Sequence, residues 1–483
     1  MKKLNELLQS VVWLQCVGNT DQSISSVCFD SREVRPGSLF VAQRGTQTDG
    51  HAFIGQAVSQ GAVAVVLEEM PATLQEGVCY LQVEDASLAL AYIADAFYDH
   101  PSASLALTGI TGTNGKTTTV TLLYRLFCAL GYKVGLLSTI ENRVGDKVIP
   151  STHTTMDAVH INALLREMVD NGCQYCFMEV SSHAIVQHRV SALQFAGGIF
   201  SNITHDHLDY HKTFKAYIEA KKAFFDRLPA TAFALSNVDD PNGGVMLQNT
   251  RAKRYLYGLK SPVADYKAKI MELHLDGMLL QMDGQEVWSR LTGDFNAYNL
   301  LAIYATARLL GEEKQEVLRH LSALEAAEGR FACFTGSKGI TAIVDYAHTP
   351  DALQHVLQTI RRIRKPSQKL VTVVGCGGNR DKTKRPEMAQ IAFSLSDTLV
   401  LTSDNPRMEE PEAILEDMRQ GLATADPSSY FVIPDRAEAI KLAVCLSHAG
   451  DIVLIAGKGH EKYQDIKGVK HHFDDVETVK KYI

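Results

Sequence analysis

A glycine-rich loop between an apolar segment and a helix-like segment constrains the fold of this chain more than any other feature. The segment Leu105–Ile110 is apolar, the loop is Gly109-Ile-Thr-Gly-Thr-Asn-Gly-Lys-Thr-Thr118, and Thr119–Leu130 has the pattern of a helix. A strand, a glycine-rich loop and a helix in this order are typical of a phosphate-binding loop. The sequence therefore predicts an α/β domain with a P-loop-type parallel sheet.

The residue types of this loop suit a nucleoside triphosphate. Glycines let backbone N–H groups face phosphate oxygens, and the helix N-terminus adds positive potential. Lys116 is predicted to neutralise the β- and γ-phosphates, and the Thr117 hydroxyl is predicted to bind Mg²⁺. An ordinary glycine-rich turn is the alternative. A regular Walker A frame would begin with glycine where this chain has Ile110, and no Asn-Lys-x-Asp motif is present, so ATP is favoured over GTP.

Strand-like and helix-like segments alternate along all 483 residues, which is typical of α/β folds with parallel sheets. A length of ~100–200 residues per domain corresponds to about three domains. We predict an N-terminal domain over residues 1–103, a central ATP-binding domain over residues 104–329 and a Rossmann-like C-terminal domain over residues 330–483. Residues 326–330 form the predicted hinge between the second and third domains.

Composition and charge exclude several classes of protein. The net charge is −7 without a basic field, so no nucleic-acid partner is predicted. No apolar run approaches the ~20 residues that a membrane span requires. Residues Met1–Gln15 are predicted to form an amphipathic helix and not a signal peptide. The nine scattered cysteines indicate a reduced, cytoplasmic protein, which we predict to be a monomer. Cys173 and Cys176 are predicted to be buried thiols, with a metal or redox site as the alternative.

Acidic and imidazole side chains follow two further strand-like segments. Glu179 ends the apolar run in Phe177-Met-Glu-Val-Ser-Ser-His183 and offers oxygen ligands of the kind that Mg²⁺ prefers. The run Asn202-Ile-Thr-His-Asp-His-Leu-Asp-Tyr-His211 contains His207, a candidate metal ligand or acid/base group. The alternative for each histidine of this run is a structural role, as a loop cap or a hydrogen-bond partner of the backbone.

Together these motifs resemble the Mur ligase family, which builds the peptide stem of the bacterial cell-wall precursor. The resemblance covers the whole chain and is closest to the branch that adds the third residue of the stem. Its motifs are Asp30-Ser-Arg32, Pro36-Gly-Ser-Leu-Phe-Val-Ala42, Gly112-Thr-Asn-Gly-Lys-Thr117, Glu179-Val-Ser-Ser-His183, Asn202–His211, Tyr217-Ile-Glu-Ala-Lys221, Asn296-Ala-Tyr-Asn299, Glu328-Gly-Arg330, Asp345-Tyr-Ala-His-Thr-Pro350, Gly375–Asp381 and Asp404-Asn-Pro-Arg407.

The resemblance implies an ATP-dependent amide ligase that activates a carboxylate as an acyl phosphate. The implied catalytic residues are Lys116, Glu179, His207 and Lys221, and the implied Mg²⁺ ligands are Thr117, Glu179, His207 and Lys221. Lys221 resembles the family lysine that reacts with CO₂ to give a carbamate (N6-carboxylysine), whose anionic oxygen suits Mg²⁺ where an ammonium does not. The implied ATP contacts are Gly112, Thr113, Asn114, Gly115, Lys116, Thr117, Thr118, Asn299, Arg330, Asp345 and His348.

The resemblance also implies two small-molecule substrates, UDP-N-acetylmuramoyl-L-alanyl-D-glutamate and meso-diaminopimelate. The implied contacts of the first are Ser31, Thr46, Gln47, Thr154, Thr155, Ser181, Gln187 and Arg189. The implied contacts of the second are Arg380, Asp404, Asn405, Arg407, Gly457 and Glu461. Arg407 and Arg380 suit the far carboxylate of diaminopimelate, and Asn405 and Glu461 suit its ammonium.

Two other functions fit parts of the sequence. A related ligase such as a folylpolyglutamate synthetase shares the phosphate-binding loop and the lysine, but the Asp30-Ser-Arg32 and Asp404–Arg407 motifs disfavour it. A regulator that binds ATP and a UDP-sugar without ligating them is disfavoured by the intact Glu179, His207 and Lys221. Turnover distinguishes these alternatives.

Overall fold

The computed structural model describes residues 1–45, 48–151, 153–206 and 208–483. Within these residues the chain forms three main sheets of five, eleven and six strands, which we call the N-terminal, central and C-terminal sheets. Most neighbouring strands in each are parallel, so the predicted α/β class with parallel sheets is confirmed. The predicted domain limits at 103/104 and 329/330 stay predictions.

The N-terminal sheet is parallel except for one edge strand. Its strands in spatial order are Gln15–Val17, Cys79–Gln82, Ala62–Leu67, Ser38–Val41 and Ser26–Cys28. Its helices are Leu4–Leu7, Ile54–Ser59 and Ala86–Phe97, with 3₁₀ turns at Ser31–Glu33, Gly50–Phe53 and Pro101–Ser104. The helix Ala86–Phe97 packs against the helix Ala158–Asp170 and so joins this sheet to the central part of the chain.

The predicted helix over Met1–Gln15 is wrong. The helix covers only Leu4–Leu7, because strand pairing captures the chain on both sides of it. Lys2–Lys3 pairs with Ser23–Ile24, and Gln15–Val17 joins the edge of the N-terminal sheet. Backbone pairing with distant segments thus outweighs the local apolar pattern.

The central sheet holds the glycine-rich loop. Its strands in spatial order are Lys147–Pro150, Glu141–Val144, Val134–Leu137, Tyr175–Glu179, Ala106–Thr111, Gly197–Phe200, Phe233–Asn237, Lys253–Gly258, Tyr266–His274, Gly277–Met282 and Gln285–Ser289. The run from Val134–Leu137 to Tyr266–His274 is parallel. Ala106–Thr111 therefore lies between Tyr175–Glu179 and Gly197–Phe200, and the carboxyl ends of all three meet at one edge.

Helices cover both faces of the central sheet and bury two apolar clusters against it. They are Lys116–Ala129, Ala158–Asp170, Ser182–Val186, Leu208–His211, Phe214–Asp226, Gly243–Met246, Asp294–Leu309 and Lys314–Ser322. The predicted strand before the glycine-rich loop and the predicted helix after it are both confirmed, with shifts of one to three residues at their ends.

The C-terminal sheet is parallel except for its first strand. Its strands in spatial order are Ala332–Thr335, Thr341–Asp345, Ile452–Ala456, Leu370–Cys376, Thr398–Ser403 and Tyr430–Ile433. Its helices are Pro350–Ile363, Lys384–Leu395, Pro411–Arg419, Arg436–Cys445 and Asp475–Lys480, with 3₁₀ turns at Gln420–Leu422 and Pro427–Ser429. A hairpin of Tyr463–Ile466 and Val469–His472 lies beside its carboxyl edge.

Two predictions from composition can be compared with the fold. Over the described ranges, no helix is both long and apolar enough to span a membrane. All nine cysteines are free thiols. Cys173 and Cys176 are buried, as predicted, and burial raises the pKa of both thiols.

Candidate active site

The glycine-rich loop joins the strand Ala106–Thr111 to the helix Lys116–Ala129. Gly115, at the helix N-cap, has a φ of +88°. A Cβ atom at Gly115 would lie 2.6 Å from Oδ1 of Asn299. Glycine is therefore favoured at this position by the positive φ and by the close contact with Asn299. Thr117 and Thr118 follow in the buried first turn of the helix. The structure thus brings the predicted Asn299 directly against the loop.

Other loop residues are bound to the neighbouring strand end. The Thr113 N–H donates to the Asn202 carbonyl at 2.8 Å, and its hydroxyl accepts from Thr204 N–H at 3.0 Å. The Asn114 N–H donates to Oδ1 of Asn202 at 2.9 Å. These contacts hold the loop rigidly against the segment that contains His207, which itself lies outside the described residues.

The half-buried Lys116 and the buried Lys221 converge on the carbonyl of Gly112. Lys116 Nζ donates to the carbonyls of Gly112 and Thr113, each at 2.9 Å, and Lys221 Nζ donates to Gly112 at 2.8 Å. Burial lowers the pKa of Lys116. Burial, with the nearby Lys116 cation, lowers the pKa of Lys221 well below its ordinary value. This environment favours the neutral amine of Lys221.

Glu179 ends the neighbouring strand and has one carboxylate oxygen without a partner. Its side chain is 1% exposed, and Oε1 accepts from the Thr139 N–H at 2.8 Å. Oε2 is buried and makes no hydrogen bond. The carboxylate is close enough to Lys116 to oppose the lowering of the lysine pKa. A buried, unpartnered carboxylate oxygen at this edge is the arrangement that a bound cation satisfies.

Arg330 reaches from the predicted hinge to the glycine-rich loop. Its NH2 donates to Oγ1 of Thr117 at 3.3 Å, and its guanidinium lies 4.5 Å from the centre of the Tyr346 ring. Its Nε is buried without a hydrogen-bond partner. Asn114 makes a second contact with the C-terminal part of the chain, through Nδ2 to Oδ2 of Asp351 at 3.0 Å. The loop thus touches both the hinge and the first turn of the helix Pro350–Ile363.

Asp345 and His348 lie behind Arg330. The Asp345 carboxylate accepts from the N–H groups of Phe331 and Ala347, both at 2.7 Å, and burial raises its pKa. His348 Nδ1 lies 2.9 Å from the Tyr346 carbonyl, and burial lowers the His348 pKa to about 4. Asp345 therefore fixes the backbone next to Arg330, while His348 remains neutral at neutral pH.

A second predicted group gathers at the start of the helix Ser182–Val186. Arg189 NH1 donates to the Thr155 carbonyl at 2.6 Å, and its Nε donates to Oε1 of Gln187 at 3.0 Å. The Ser181 N–H donates to Oγ1 of Thr155 at 3.1 Å. Thr155 in turn donates to the backbone carbonyl of Glu179 at 2.8 Å, which connects this group to the strand end described above.

The remaining predicted contacts of this group are less closely connected. Oγ1 of Thr154 accepts from Oγ1 of Thr139 at 3.1 Å. Ser31 lies in the N-terminal part, where its buried hydroxyl donates to Oε1 of Gln56 at 3.2 Å. Thr46 and Gln47 lie outside the described residues.

The predicted amino-acid contacts lie at the carboxyl edge of the C-terminal sheet. Asp404 and Asn405 follow the strand Thr398–Ser403, and Gly457 follows Ile452–Ala456. Gly457 has a φ of +117°, and a Cβ atom there would lie 2.7 Å from Oδ2 of Asp404. Glu461 Oε2 accepts from Nδ2 of Asn405 at 2.6 Å. Burial, with the nearby Asp404 carboxylate, raises the pKa of Glu461.

The arginines predicted here differ in their surroundings. Arg407 has a φ of +51°, and its NH1 donates to the Gly378 carbonyl at 2.7 Å. The hairpin holds its backbone, because the Arg407 N–H donates to the Asp465 carbonyl at 2.9 Å. Arg380 is exposed, and its Cγ lies 3.9 Å from a Cβ built on Gly377.

The amide of Asn405, which is predicted to receive an ammonium, makes hydrogen bonds with neighbouring protein groups. Oδ1 of Asn405 accepts from Lys458 Nζ at 3.1 Å and from the Asp465 N–H at 2.9 Å. An amide oxygen has two lone pairs, so this acceptor is saturated. Nδ2 donates to Oε2 of Glu461, so the acceptor atoms with further capacity belong to Asp404 and Glu461, and the role of Asn405 stays a prediction.

Three residues near the site were not predicted. Lys458 lies within the quoted Gly457–Glu461 region but has only an unremarkable sequence context. Asp351 meets Asn114 across 237 positions of sequence, and Arg436 pairs with the buried Asp475. Asp351 and Arg436 have no local sequence pattern, since each acquires its role through a distant partner. Lys458 combines a distant partner, Asn405, with the nearby Glu461.

Three family models match successive parts of the chain. The model described as Mur ligase family, catalytic domain, matches residues 23–98. The Mur ligase middle domain matches residues 110–307, and the Mur ligase, glutamate ligase domain matches residues 329–459. The matches therefore follow the N-terminal, central and C-terminal sheets in order.

Similar proteins cover the whole length. The UDP-N-acetylmuramoyl-L-alanyl-D-glutamate--2,6-diaminopimelate ligase of Cytophaga hutchinsonii is 57% identical over 482 residues, covering 100% of this chain and 99% of the relative. The protein of the same name from Bacteroides fragilis is 54% identical over 478 residues, covering 99% and 98%. A solved structure of a ligase of that name is similar with a TM-score of 0.69 at 33% identity, covering 100% of this chain and 98% of that chain.

Proposed function

The chain belongs to the Mur ligase family, and we propose that it joins meso-2,6-diaminopimelate to UDP-N-acetylmuramoyl-L-alanyl-D-glutamate in an ATP-dependent reaction. This reaction is a step in the assembly of the peptidoglycan precursor. Relatives named for the reaction share more than half of their residues with this chain over nearly their full length. The cytoplasmic location and monomeric state predicted from the sequence are part of the proposal.

The reaction sets clear requirements for a site. A carboxylate is a poor electrophile, so ATP first transfers its γ-phosphoryl group to the D-glutamate carboxylate, giving ADP and an acyl phosphate. The amine of diaminopimelate then attacks the acyl carbon, and phosphate leaves as the amide forms. The enzyme has to stabilise clustered negative charge, align the reactants and exclude water from the acyl phosphate.

Cations from two parts of the chain meet at the proposed phosphate position. Lys116 supplies a half-buried ammonium, and Arg330 supplies a guanidinium 3.3 Å from the Thr117 hydroxyl. We assign the N–H groups of residues 115–118, at the start of the helix, to phosphate oxygens and Asn299 to the nucleotide, while the N–H groups of Thr113 and Asn114 are held by Asn202. Asp345 and His348 support this arrangement by fixing the backbone around Arg330.

The residues around Glu179 fit a Mg²⁺ ion. Glu179 Oε2 is buried without a partner, and the Thr117 hydroxyl lies at the same edge. In the described part of the chain, no three His, Cys, Asp or Glu side chains could bind a metal together. The proposed site therefore relies on a Lys221 carbamate for another oxygen ligand and on His207, which lies outside the described residues. Bound Mg²⁺ would polarise the phosphoryl oxygens.

The lowered pKa of Lys221 is compatible with carbamate formation. CO₂ reacts with a neutral amine and not with an ammonium, and the buried position of Lys221 favours the neutral form. The product carries a negative charge beside Lys116. The carbamate and the Lys116 ammonium would attract each other, whereas two lysine ammonium groups at these positions would repel each other.

The C-terminal cluster suits an amino acid with a zwitterionic far end. We assign the far carboxylate of diaminopimelate to Arg407 and Arg380, because a guanidinium binds carboxylates bidentately. Nδ2 of Asn405 donates to Oε2 of Glu461 at 2.6 Å and so orients this carboxylate within the cluster. The far ammonium is assigned to Asp404 and Glu461, whose oxygens are the acceptors of this cluster.

The UDP-linked substrate is assigned to the group that includes Thr155, Ser181, Gln187 and Arg189, with Thr154 beside it. Ser31 and the undescribed Thr46 and Gln47 are assigned to its uridine diphosphate. Arg189 is the cation of this group, and burial lowers its pKa. A partly buried guanidinium is a suitable partner for a substrate carboxylate.

The contact between Arg330 and Thr117 carries the proposal. It joins the glycine-rich loop of the central sheet to the segment that leads into the C-terminal sheet. A cation at this position stabilises the charge of a transferred phosphoryl group, and its place in the segment that leads to the proposed amine site supports a ligase.

The first experiment measures phosphate release with ATP, Mg²⁺ and the UDP-dipeptide, with meso-diaminopimelate, L-lysine or no amino acid, and identifies the amide by mass. We expect turnover with diaminopimelate alone. Turnover with lysine would refute the assigned specificity, and release without any amide product would favour an ATP-binding regulator or hydrolase. Failure with this substrate together with turnover of a pteroyl glutamate would favour the folylpolyglutamate alternative.

Arg330→Met tests the observation that carries the proposal. We expect kcat to fall roughly 10²–10³-fold, as for loss of a donor that stabilises transition-state charge. The matched control is Arg362→Met, which removes another arginine contact between the same two parts of the chain, from NH1 of Arg362 to Oδ2 of Asp294 at 2.6 Å on the surface. Equal effects of the two variants would contradict the phosphate role of Arg330.

A further inference from the structure

A lysine side chain with no exposed surface lies beneath the proposed amino-acid site. Lys458 Nζ lies 3.3 Å from Oε2 of Glu461 and 3.9 Å from Oδ1 of Asp404, and its side chain is 0% exposed. In the described part of the chain, Lys458 provides the only ion pair of either carboxylate. The site therefore contains an ammonium of its own before any substrate binds.

The hydrogen bonds of Lys458 fix the neighbouring groups. Its Nζ donates to Oδ1 of Asn405 at 3.1 Å, to Oε2 of Glu461 at 3.3 Å and to the Tyr463 carbonyl. An ammonium has three protons, so all of its donors are used. Because Asn405 Oδ1 is held in this way, its Nδ2 points to Glu461 at 2.6 Å. Lys458 thus decides which atoms face the ligand.

The charges of the site depend on this ammonium. Asp404 is buried, Glu461 is mostly buried with 17% of its side chain exposed, and burial together with Asp404 raises the pKa of Glu461. Lys458 and Arg407 are the two cations that balance these carboxylates within the cluster, because Arg380 is exposed and its charge is screened by solvent. Without Lys458, the site has an excess of negative charge, which favours a ligand whose far end is a single ammonium.

We propose that Lys458 is a positioning residue that makes the site select an amino acid with a zwitterionic far end over one whose far end is only an ammonium. The inference rests on the proposed function and extends it to a residue outside the assigned contacts. A balanced site leaves Arg407 unpaired when the far carboxylate is missing, so lysine is rejected. The Lys458 ammonium also repels a ligand whose far end is only an ammonium, and this repulsion adds to the selectivity.

The test uses Lys458→Met, which has similar length and no charge, in the full-length enzyme. KM and kcat are measured for meso-diaminopimelate, L-lysine and ATP, with amide products identified by mass. We expect the kcat/KM ratio of diaminopimelate to lysine to fall roughly 10- to 100-fold, the effect of losing a charged hydrogen bond, while KM for ATP stays within about twofold. Lys470→Met is the control, since exposed Lys470 also lies over the Tyr463 ring, at 4.2 Å, without reaching Asn405.

Charge compensation separates this role from a purely structural one. The double variant Lys458→Met/Glu461→Gln removes one carboxylate together with the ammonium, and we expect it to recover part of the discrimination. The single variant Glu461→Gln leaves an excess positive charge, so its discrimination against lysine should rise. If circular dichroism shows that Lys458→Met does not fold, Glu461→Gln alone still tests the proposal.

The outcomes distinguish the two levels of inference. If the unmodified enzyme makes no amide with either amino acid, the proposed function fails, whatever the variants do. If the enzyme is active but Lys458→Met lowers kcat/KM equally for both amino acids, or Glu461→Gln leaves the ratio unchanged, Lys458 has no role in selection and the inference is wrong.

Discussion

The buried ion pair between Arg436 and Asp475 allows a quantitative test of how the amino-acid-binding edge is held. Both side chains are 0% exposed, and Nε and NH2 of Arg436 donate to the two carboxylate oxygens at 2.8 Å each. The guanidinium also donates to the carbonyls of Ser403 at 3.3 Å and Ala456 at 3.0 Å. These are the last residues of two strands, immediately before Asp404 and Gly457.

The structure gives the magnitude and order of the expected effects. Asp475→Asn keeps the shape of the side chain but leaves a buried guanidinium without its counter-charge, which costs about 3–5 kcal/mol. Arg436→Met leaves Asp475 uncompensated and also removes the donor of two carbonyls, at ~1–3 kcal/mol each. The double variant Arg436→Met/Asp475→Leu removes both charges, so it should be more stable than Arg436→Met, which loses the same donor to the two carbonyls.

Hydrogen exchange measured by mass spectrometry reports on this edge directly. A loss of 3–5 kcal/mol in local stability raises exchange roughly 100- to several-thousand-fold in the strands Thr398–Ser403 and Ile452–Ala456. Exchange in Ala106–Thr111 of the central sheet should not change. The control is Glu438→Gln, which breaks an exposed pair on the same helix as Arg436 and costs at most ~1 kcal/mol. The reasoning would be refuted if Asp475→Asn were as stable as this control, or if the double variant were no more stable than Arg436→Met.

Four further outcomes are expected. Glu179→Gln should lower kcat at least ~100-fold and raise the Mg²⁺ concentration needed for half-maximal rate, because a neutral amide is a poorer Mg²⁺ ligand; unchanged Mg²⁺ dependence would exclude the proposed ligand. Removal of bicarbonate should lower the rate of the native enzyme and leave Lys221→Met unaffected, and ¹³C-bicarbonate should give a carbamate NMR signal only in the former. Arg407→Ala should raise KM for diaminopimelate roughly 10- to 100-fold without changing KM for ATP, and an unchanged preference over lysine would contradict its assignment. Burial lowers the pKa of His348 to about 4 and of His460 to about 3. Below pH ~6.5 the unfolded chain therefore binds more protons than the folded chain. Tm should fall as pH drops from 6.5 toward 4, and it should fall less steeply in His460→Gln.

The parts of the site that were predictable from sequence are local. The glycine-rich loop is confirmed with its strand and helix, because glycine content and apolar periodicity act within about 25 residues of chain. The same holds for the strand that ends at Glu179 and the strand that ends before Asp404, since a buried parallel strand is a short apolar run. The assigned roles of these residues stay predictions until activity is measured.

What sequence did not predict depends on distant partners. The Met1–Gln15 segment has an apolar pattern that fits a helix, yet pairing with Ser23–Ile24 and Cys79–Gln82 limits the helix to one turn. The amide of Asn405 could not be oriented, because its orientation is set by Lys458 across 53 positions of sequence. Spacing gives no information about such contacts, which exist only after the chain has folded.

The neutral histidines around Tyr346 explain how cationic groups can remain close together before ATP binds. The Tyr346 ring packs against the Arg330 guanidinium. The centre of the same ring lies 4.6 Å from the centre of the His348 ring and 4.8 Å from the centre of the His460 ring. Burial lowers the pKa of both histidines, and the Arg330 cation contributes to this effect. Protonation of either histidine would add a third positive charge beside Arg330 and Lys116. Keeping both neutral leaves the arginine and the lysine as the cations at the proposed phosphate position, where they would stabilise the charge of a bound nucleotide.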